Sequence, residues 1–198
     1  MPWAKVDVWD LEAAQGYDTP GTGMLAPAVL GPTLDRLAQL AAGGRALEFA
    51  FGTGRVAIPL AERGVPVAGI ELSGPMIEQL RTKVDETTIP VTAGDMATVR
   101  APGEYALVFL VYNGISNLLT QSEQVACFRN AARHLAPGGR FVIELWGSGA
   151  AQAAAGPASY RLQFGSRLHQ PGHPMTCCTN TRIPPLQIRH RHAGAILP

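Results

Sequence analysis

Between residues 45 and 146, apolar residues fall in two alternating kinds of pattern. Short continuous runs at 45–51, 65–72, 89–93, 105–112 and 140–146 read as buried strands. The stretches between them repeat apolar residues every three or four positions and read as helices. Thr33 to Ala42 puts Leu34, Leu37, Leu40 and Ala41 on one face and stops at Gly43-Gly44. A helix follows Gly54 and runs to Arg63, with a bend expected at Pro59 and Gly64 as its stop. Ser73 caps the next, with Pro75 in its first turn, where a missing N–H costs little. Thr120-Gln121-Ser122-Glu123 has the form of a capping box, opening a helix to Leu135 that stops at Pro137-Gly138-Gly139. Ahead of these, Asp7 to Gln15 is a short helix followed by a loop at 16–23 rich in glycine. Strands and helices in this order imply right-handed crossovers and an α/β fold. The expected architecture is a doubly wound, mostly parallel sheet of at least five strands with helices on both faces.

Composition separates this patterned part from the rest. The chain has 198 residues, 46% hydrophobic and 16% charged, with a net charge of +1. That length supports a full core. The balance excludes disordered and collagen-like chains and gives no electrostatic case for nucleic acid. The longest apolar run, Tyr105 to Tyr112, is eight residues, well short of the ~20 that cross a bilayer, so no membrane partner is expected. The N-terminus shows no apolar leader, and three cysteines without metal-ligand spacing suit a reducing, cytoplasmic setting.

Residues 1–150 hold all 15 acids and 11 of the 16 lysines and arginines, net −4. Residues 151–198 hold five arginines, no lysine and no acid, with four of the five histidines and six prolines. Three readings of this tail compete: a basic interaction arm, a layer of short strands at 160–164 and 186–189, or out-of-frame translation. Arginine without lysine or acid, beside Cys177-Cys178 and Pro184-Pro185, suits the last best. The expected organisation is a helical and loop cap over 1–44, a ligand-binding core over 45–148 and an atypical basic tail over 149–198.

Doubly wound sheets bind ligands beyond the carboxyl ends of their strands, where strand order reverses. The segment in that position is Glu48-Phe49-Ala50-Phe51-Gly52-Thr53-Gly54-Arg55. Glycines at 52 and 54 permit a sharp turn and a close backbone approach to a ligand. Glu71 ends the second strand, 17 residues after Gly54, a placement suited to accepting from both hydroxyls of a ribose. Gly52-x-Gly54-x-x-Ala57 also satisfies the relaxed dinucleotide fingerprint, but a diphosphate on that turn would face Glu48, and like charges in a partly buried site are costly. S-adenosylmethionine carries an ammonium, a sulfonium and no phosphate, so Glu48 attracts it. Arg55 tempers the argument, because it offsets Glu48 or pairs with the anion of either ligand.

The chain resembles the class I S-adenosylmethionine-dependent methyltransferases of small-molecule type. The resemblance rests on E-x-A-x-G-x-G at 48–54, Glu71, Gly94-Asp95-Met96 and Leu135-Ala136-Pro137-Gly138-Gly139, in that order, and on Tyr17-Asp18 in the first loop. It implies a Rossmann-like fold with S-adenosyl-L-methionine as cofactor. It also implies roles: Ala50, Gly52 and Gly54 holding the methionine moiety with Glu48 on its ammonium, Glu71 on the ribose, and Leu72 beside the adenine. Asp95 would accept from the adenine amino group beside Met96. Val111, Tyr112 and Asn113 would end the fourth strand under the reacting methyl, and Tyr17 would close over the cofactor. Asp95 also suits a helix N-cap, Met96 the core, Tyr17 a loop anchor and Asn113 a turn. His134, in the last turn of its helix, suits a structural role.

The implied chemistry is in-line methyl transfer to a small-molecule acceptor at N, O or C, without metal. The rivals are an NAD-dependent oxidoreductase on a related sheet and a catalytically inactive, truncated S-adenosylmethionine-binding domain. The family usually continues after the fifth strand with a helix and an antiparallel strand pair, a pattern residues 149–198 lack.

Overall fold

A computed structural model describes residues 9–18 and 26–145. The expected short strands at 160–164 and 186–189, and Trp146, lie outside the described residues. The elements are α1 (Leu11–Gly16), α2 (Pro27–Ala41), β1 (Ala46–Phe49), α3 (Ala57–Glu62), β2 (Val67–Glu71), α4 (Gly74–Arg81), β3 (Val91–Ala93), β4 (Tyr105–Leu110), a 3-10 turn at Gly114–Asn117, α5 (Gln121–His134) and β5 (Leu135–Ile143). The strands form one sheet in the order β3-β2-β1-β4-β5, every pair parallel. Strand order reverses beside β1, which opens a crevice beyond the carboxyl ends of β1 and β4.

Side chains of one strand alternate between two cores. Val108 and Leu110 of β4 join the layer under α5, with Cys127 and Ala131. Leu107 and Phe109 join the layer built with Leu34 and Leu37 of α2, Leu60 of α3 and Leu80 of α4. Helices therefore cover both faces, which is why the strands read as continuous apolar runs. Gly69 in β2 leaves room for the Phe51 ring, with which a Cβ there would collide.

Local chemistry sets most boundaries as expected. Ser73 Oγ accepts from Met76 N at 3.2 Å, and the capping box of Thr120 and Glu123 is complete. The first helix starts later than expected, at Leu11 and not Asp7, because Asp10 caps it by accepting from Ala13 N at 2.9 Å. Pro59 falls in the first turn of α3, the part of a helix that best tolerates its missing N–H.

Other boundaries differ. α2 begins at Pro27, not Thr33, and runs through Pro32. Pro32 lies on the exposed face of the helix. β5 starts at Leu135, not Arg140: Leu135 pairs with Tyr105, and after an irregularity Arg140 pairs with Leu107. Pro137-Gly138-Gly139 forms that irregularity, with Gly138 at φ 78°. β3 starts at Val91, not Ile89, beyond Pro90, which has no N–H for the ladder. β4 ends at Leu110, two residues early, because Tyr112 and Asn113 take left-handed conformations at φ 56° and 55°.

Candidate active site

At the end of β1 the backbone turns through Ala50 at φ 51°, Gly52 at φ 62° and Gly54 at φ 87°. The two glycines serve different ends. A Cβ on Gly52 would meet nothing nearer than Tyr17 Cε1 at 4.0 Å, so this position forms open cleft surface. A Cβ on Gly54 would lie 2.6 Å from Leu80 Cδ1 and 2.9 Å from Ile58 Cδ1. Gly54 is thus needed for packing of α3 on α4 and, unlike the other expected cofactor contacts, does not line the cleft.

Glu71 holds the turn in place. Its Oε2 accepts from Gly52 N at 2.7 Å and its Oε1 from Ser73 N at 2.8 Å. One carboxylate thereby ties the tip of β1 to the tip of β2 and the start of α4. Burial raises its pKa, and the N–H groups of Ser73, Gly52 and Leu72 work against that rise.

Glu48 is only 3% exposed. Its Oε2 has no hydrogen-bond partner among the described residues, and the residue lines the cleft. Burial pushes its carboxyl well above the usual range; Arg55 and the Ala57 N–H oppose the shift, and Glu71 adds to it. A buried acceptor without a donor, beside a second carboxylate, suits a cationic ligand and opposes a phosphate.

Arg55 joins the two sides of this site. Its guanidinium lies 4.5 Å from the centroid of the Tyr112 ring and acts to lower the Tyr17 pKa. Burial raises the Tyr17 pKa, with Arg55 acting the other way, so the phenol stays protonated. Tyr17 also packs edge-on against Trp9, with ring centroids 5.8 Å apart. The segment carrying both aromatics is tied down at each end. Ser73 Oγ donates to Trp9 O at 2.6 Å, while Asp18 accepts from Thr53 Oγ1 at 2.8 Å and from Lys83 Nζ at 2.6 Å.

The resulting cleft measures ≈ 520 Å³. It brings together Tyr17, Glu48, Ala50, Gly52, Arg55, Glu71, Leu72, Asp95, Met96, Val111, Tyr112 and Asn113, so every expected site residue but Gly54 meets there. Asp95 accepts from Ala97 N at 2.8 Å and opens a turn instead of a helix. Met96 is at once core and cleft wall. Asn130 of α5 secures that turn, donating to Met96 O at 2.9 Å and Val99 O at 2.7 Å.

His134 is structural, but not through a positive charge at the end of α5. It is buried, its Nε2 accepts from Ala101 N at 3.0 Å, and Asn130 O lies 2.8 Å from Nδ1. That pairing assigns the neutral ring with its proton on Nδ1, and burial lowers its pKa. Burial, with Asp95 adding to it, pushes the Cys127 thiol up to about 12, which leaves no thiolate nucleophile there. No cluster of metal-ligating side chains occurs among the described residues, and no helix among them is long and apolar enough to cross a membrane.

Reading the sequence missed Trp9, Met76, Ser116, Asn117, Leu118 and Leu119, which also line the cleft. Leu119 carried a usable signal: a leucine next to a capping box, left 75% exposed at the rim. The others come to the site through tertiary packing.

Comparison with known proteins identifies relatives of the chain. A family model described as a methyltransferase domain matches residues 46–139. The cypemycin N-terminal methyltransferase of a Streptomyces species is 28% identical over 157 residues, 76% of this chain and 61% of that protein. The dTDP-3-amino-3,4,6-trideoxy-alpha-D-glucopyranose N,N-dimethyltransferase of Streptomyces venezuelae is 31% identical over 100 residues, 50% of this chain and 41% of its own length. Among solved structures, the CcbJ methyltransferase from Streptomyces caelestis superimposes with a TM-score of 0.66 at 31% identity, covering 83% of this chain and 67% of that one. The chain thus spans about three-fifths or less of the two curated relatives. A parallel 3-2-1-4-5 sheet, a glycine turn clamped by the acid of β2, and these matches lead to one assignment: the chain belongs to the class I S-adenosylmethionine-dependent methyltransferases.

Proposed function

We propose that the cleft binds S-adenosyl-L-methionine and that the protein methylates the amine of a small molecule. The observation that carries the cofactor reading is the unpartnered, buried Oε2 of Glu48 in the cleft wall. It fits the cofactor's ammonium, and Arg55 beside it fits the carboxylate of the same moiety. Glu71 keeps lone pairs for ribose hydroxyls after accepting from Gly52 and Ser73. Leu72 and Met96 flank the adenine, with Asp95 toward its amino group.

When bound, the cofactor supplies a methyl group on a sulfonium, an activated leaving group displaced in line by the acceptor's lone pair. The protein's own part is alignment and exclusion of water, worth about 7–11 kcal/mol in favourable cases. Tyr17 closes the cleft from the N-terminal side, Tyr112 and Asn113 close it from β4, and the tyrosine faces suit a cation. The amine must arrive neutral to attack. Nitrogen is favoured as the acceptor atom because two relatives are named for methyl transfer to nitrogen, one at a peptide N-terminus and one on an amino sugar.

Mass spectrometry of the full chain with S-adenosylmethionine and paired acceptors, an amino sugar or peptide amine against its hydroxyl analogue, tests the reading. The expected result is a gain of one or two methyl groups on the amine member alone. Methylation confined to the hydroxyl member would overturn the choice of nitrogen.

A further inference from the structure

We infer that Glu144, just past the end of β5, is the positioning residue that holds Tyr112 in the cleft; this rests on the cofactor reading above. Tyr112 and Asn113 are consecutive non-glycine residues at φ 56° and 55°. Each such conformation is disfavoured for a side chain with a Cβ, and a pair in succession persists only where surrounding bonds over-determine it.

Two of those bonds come from Glu144. Tyr112 N donates to Glu144 Oε2 at 2.8 Å and Asn113 N donates to Glu144 O at 3.2 Å. Glu144 N in turn donates to Leu110 O at 2.9 Å, continuing the ladder past β4. Beyond the pair, the chain is secured locally: Gly114 N donates to Val111 O at 3.1 Å and Ser116 N to Asn113 O at 3.0 Å. Most of these contacts are main chain to main chain and survive any substitution. The carboxylate on Tyr112 N–H does not.

What it holds is the ring under Arg55. The guanidinium at 4.5 Å from Tyr112 is also the cation that acts on Glu48. Glu144 therefore sets, through Tyr112 and then Arg55, the charge balance at the methionine end of the cleft without lining the cleft itself. Removing its carboxylate takes away one bond that keeps Tyr112 in the left-handed region, shifts the ring beneath Arg55 and loosens the cation's place beside Glu48.

The test is calorimetric titration of S-adenosylhomocysteine into the full chain carrying Glu144→Ala, Glu144→Gln or Glu144→Asp, with a thermal melt of each. Gln keeps an acceptor oxygen at the same reach; Asp keeps the charge but falls one methylene short. Glu144→Ala and Glu144→Asp are expected to weaken binding at least tenfold, and Glu144→Gln to stay within about threefold of wild type. If Glu144→Ala does not fold, Glu144→Asp against Glu144→Gln carries the same comparison. Wild-type affinity in Glu144→Asp, or equal losses in Asp and Gln, overturns the inference while leaving the cofactor reading intact. No binding by the wild-type chain overturns both.

Discussion

Glu48→Gln is expected to raise the thermal unfolding midpoint of the ligand-free protein and to weaken S-adenosylhomocysteine binding ten- to a hundredfold. The stability gain follows from burial, which holds the Glu48 carboxyl well above its usual range. Below the unfolded-state pKa both states are protonated and the group costs nothing. As pH rises from there toward the folded-state value, the unfolded chain gives up its proton while the folded protein keeps it, and stability falls. An amide does not titrate, so the gain grows with pH. The amide removes that titration cost, and each kcal/mol of it moves the midpoint of a chain of this size by ~2–4 °C.

The affinity loss follows from the same oxygen. A hydrogen bond to a charged group contributes about 1.5–3 kcal/mol, which sets the ten- to hundredfold range. Binding an ammonium requires the carboxylate, so wild-type affinity should climb with pH while Glu48 is still protonated in the free protein. It should fall again at higher pH, once the ligand's own amine deprotonates. Glu48→Gln should lose the climb and keep the fall. Melting curves and titrations across pH check both limbs; a lower midpoint with unchanged affinity would contradict the role given to Glu48.

Glu71→Ala should have a larger effect on binding with little effect on folding. The substitution removes the acceptor of Gly52 N and Ser73 N together, frees the glycine turn from β2 and deletes the expected ribose contact. The two charge-assisted bonds expected from the ribose hydroxyls, about 1.5–3 kcal/mol each, make a loss of more than a hundredfold the expectation. Stability should change little, because burial already raises this carboxyl and its removal relieves that cost as it forfeits the bonds. Titration and melting of one sample separate the two effects, and unchanged affinity would remove Glu71 from the site.

What was legible in the sequence was what the chain encodes locally. Glu48 and Glu71 could be read because each sits at a strand tip, fixed by its own apolar run and the glycine turn. The order of strands and helices, the Ser73 cap and the Thr120 capping box were legible for the same reason. The joining contacts were not. Asp18 meets Thr53 and Lys83 across 35 and 65 positions, and Tyr112 meets Glu144 across 32. Such pairs depend on which strands lie side by side, which no periodicity states. The end of β4 was misjudged because tyrosine seldom takes positive φ and its reason lies on β5. The double service of the glycine turn, open at Gly52 and packed at Gly54, was likewise hidden in one short motif.

Titration of the full chain with S-adenosylhomocysteine and, separately, with NADH bears most directly on the anionic tip of β1. Saturable, stoichiometric binding of the adenosyl amino acid is expected, with no heat from the dinucleotide at the same concentrations. Tight NADH binding with no response to S-adenosylhomocysteine would mean that a diphosphate tolerates Glu48 and Glu71, and that the cleft has been read with the wrong sign.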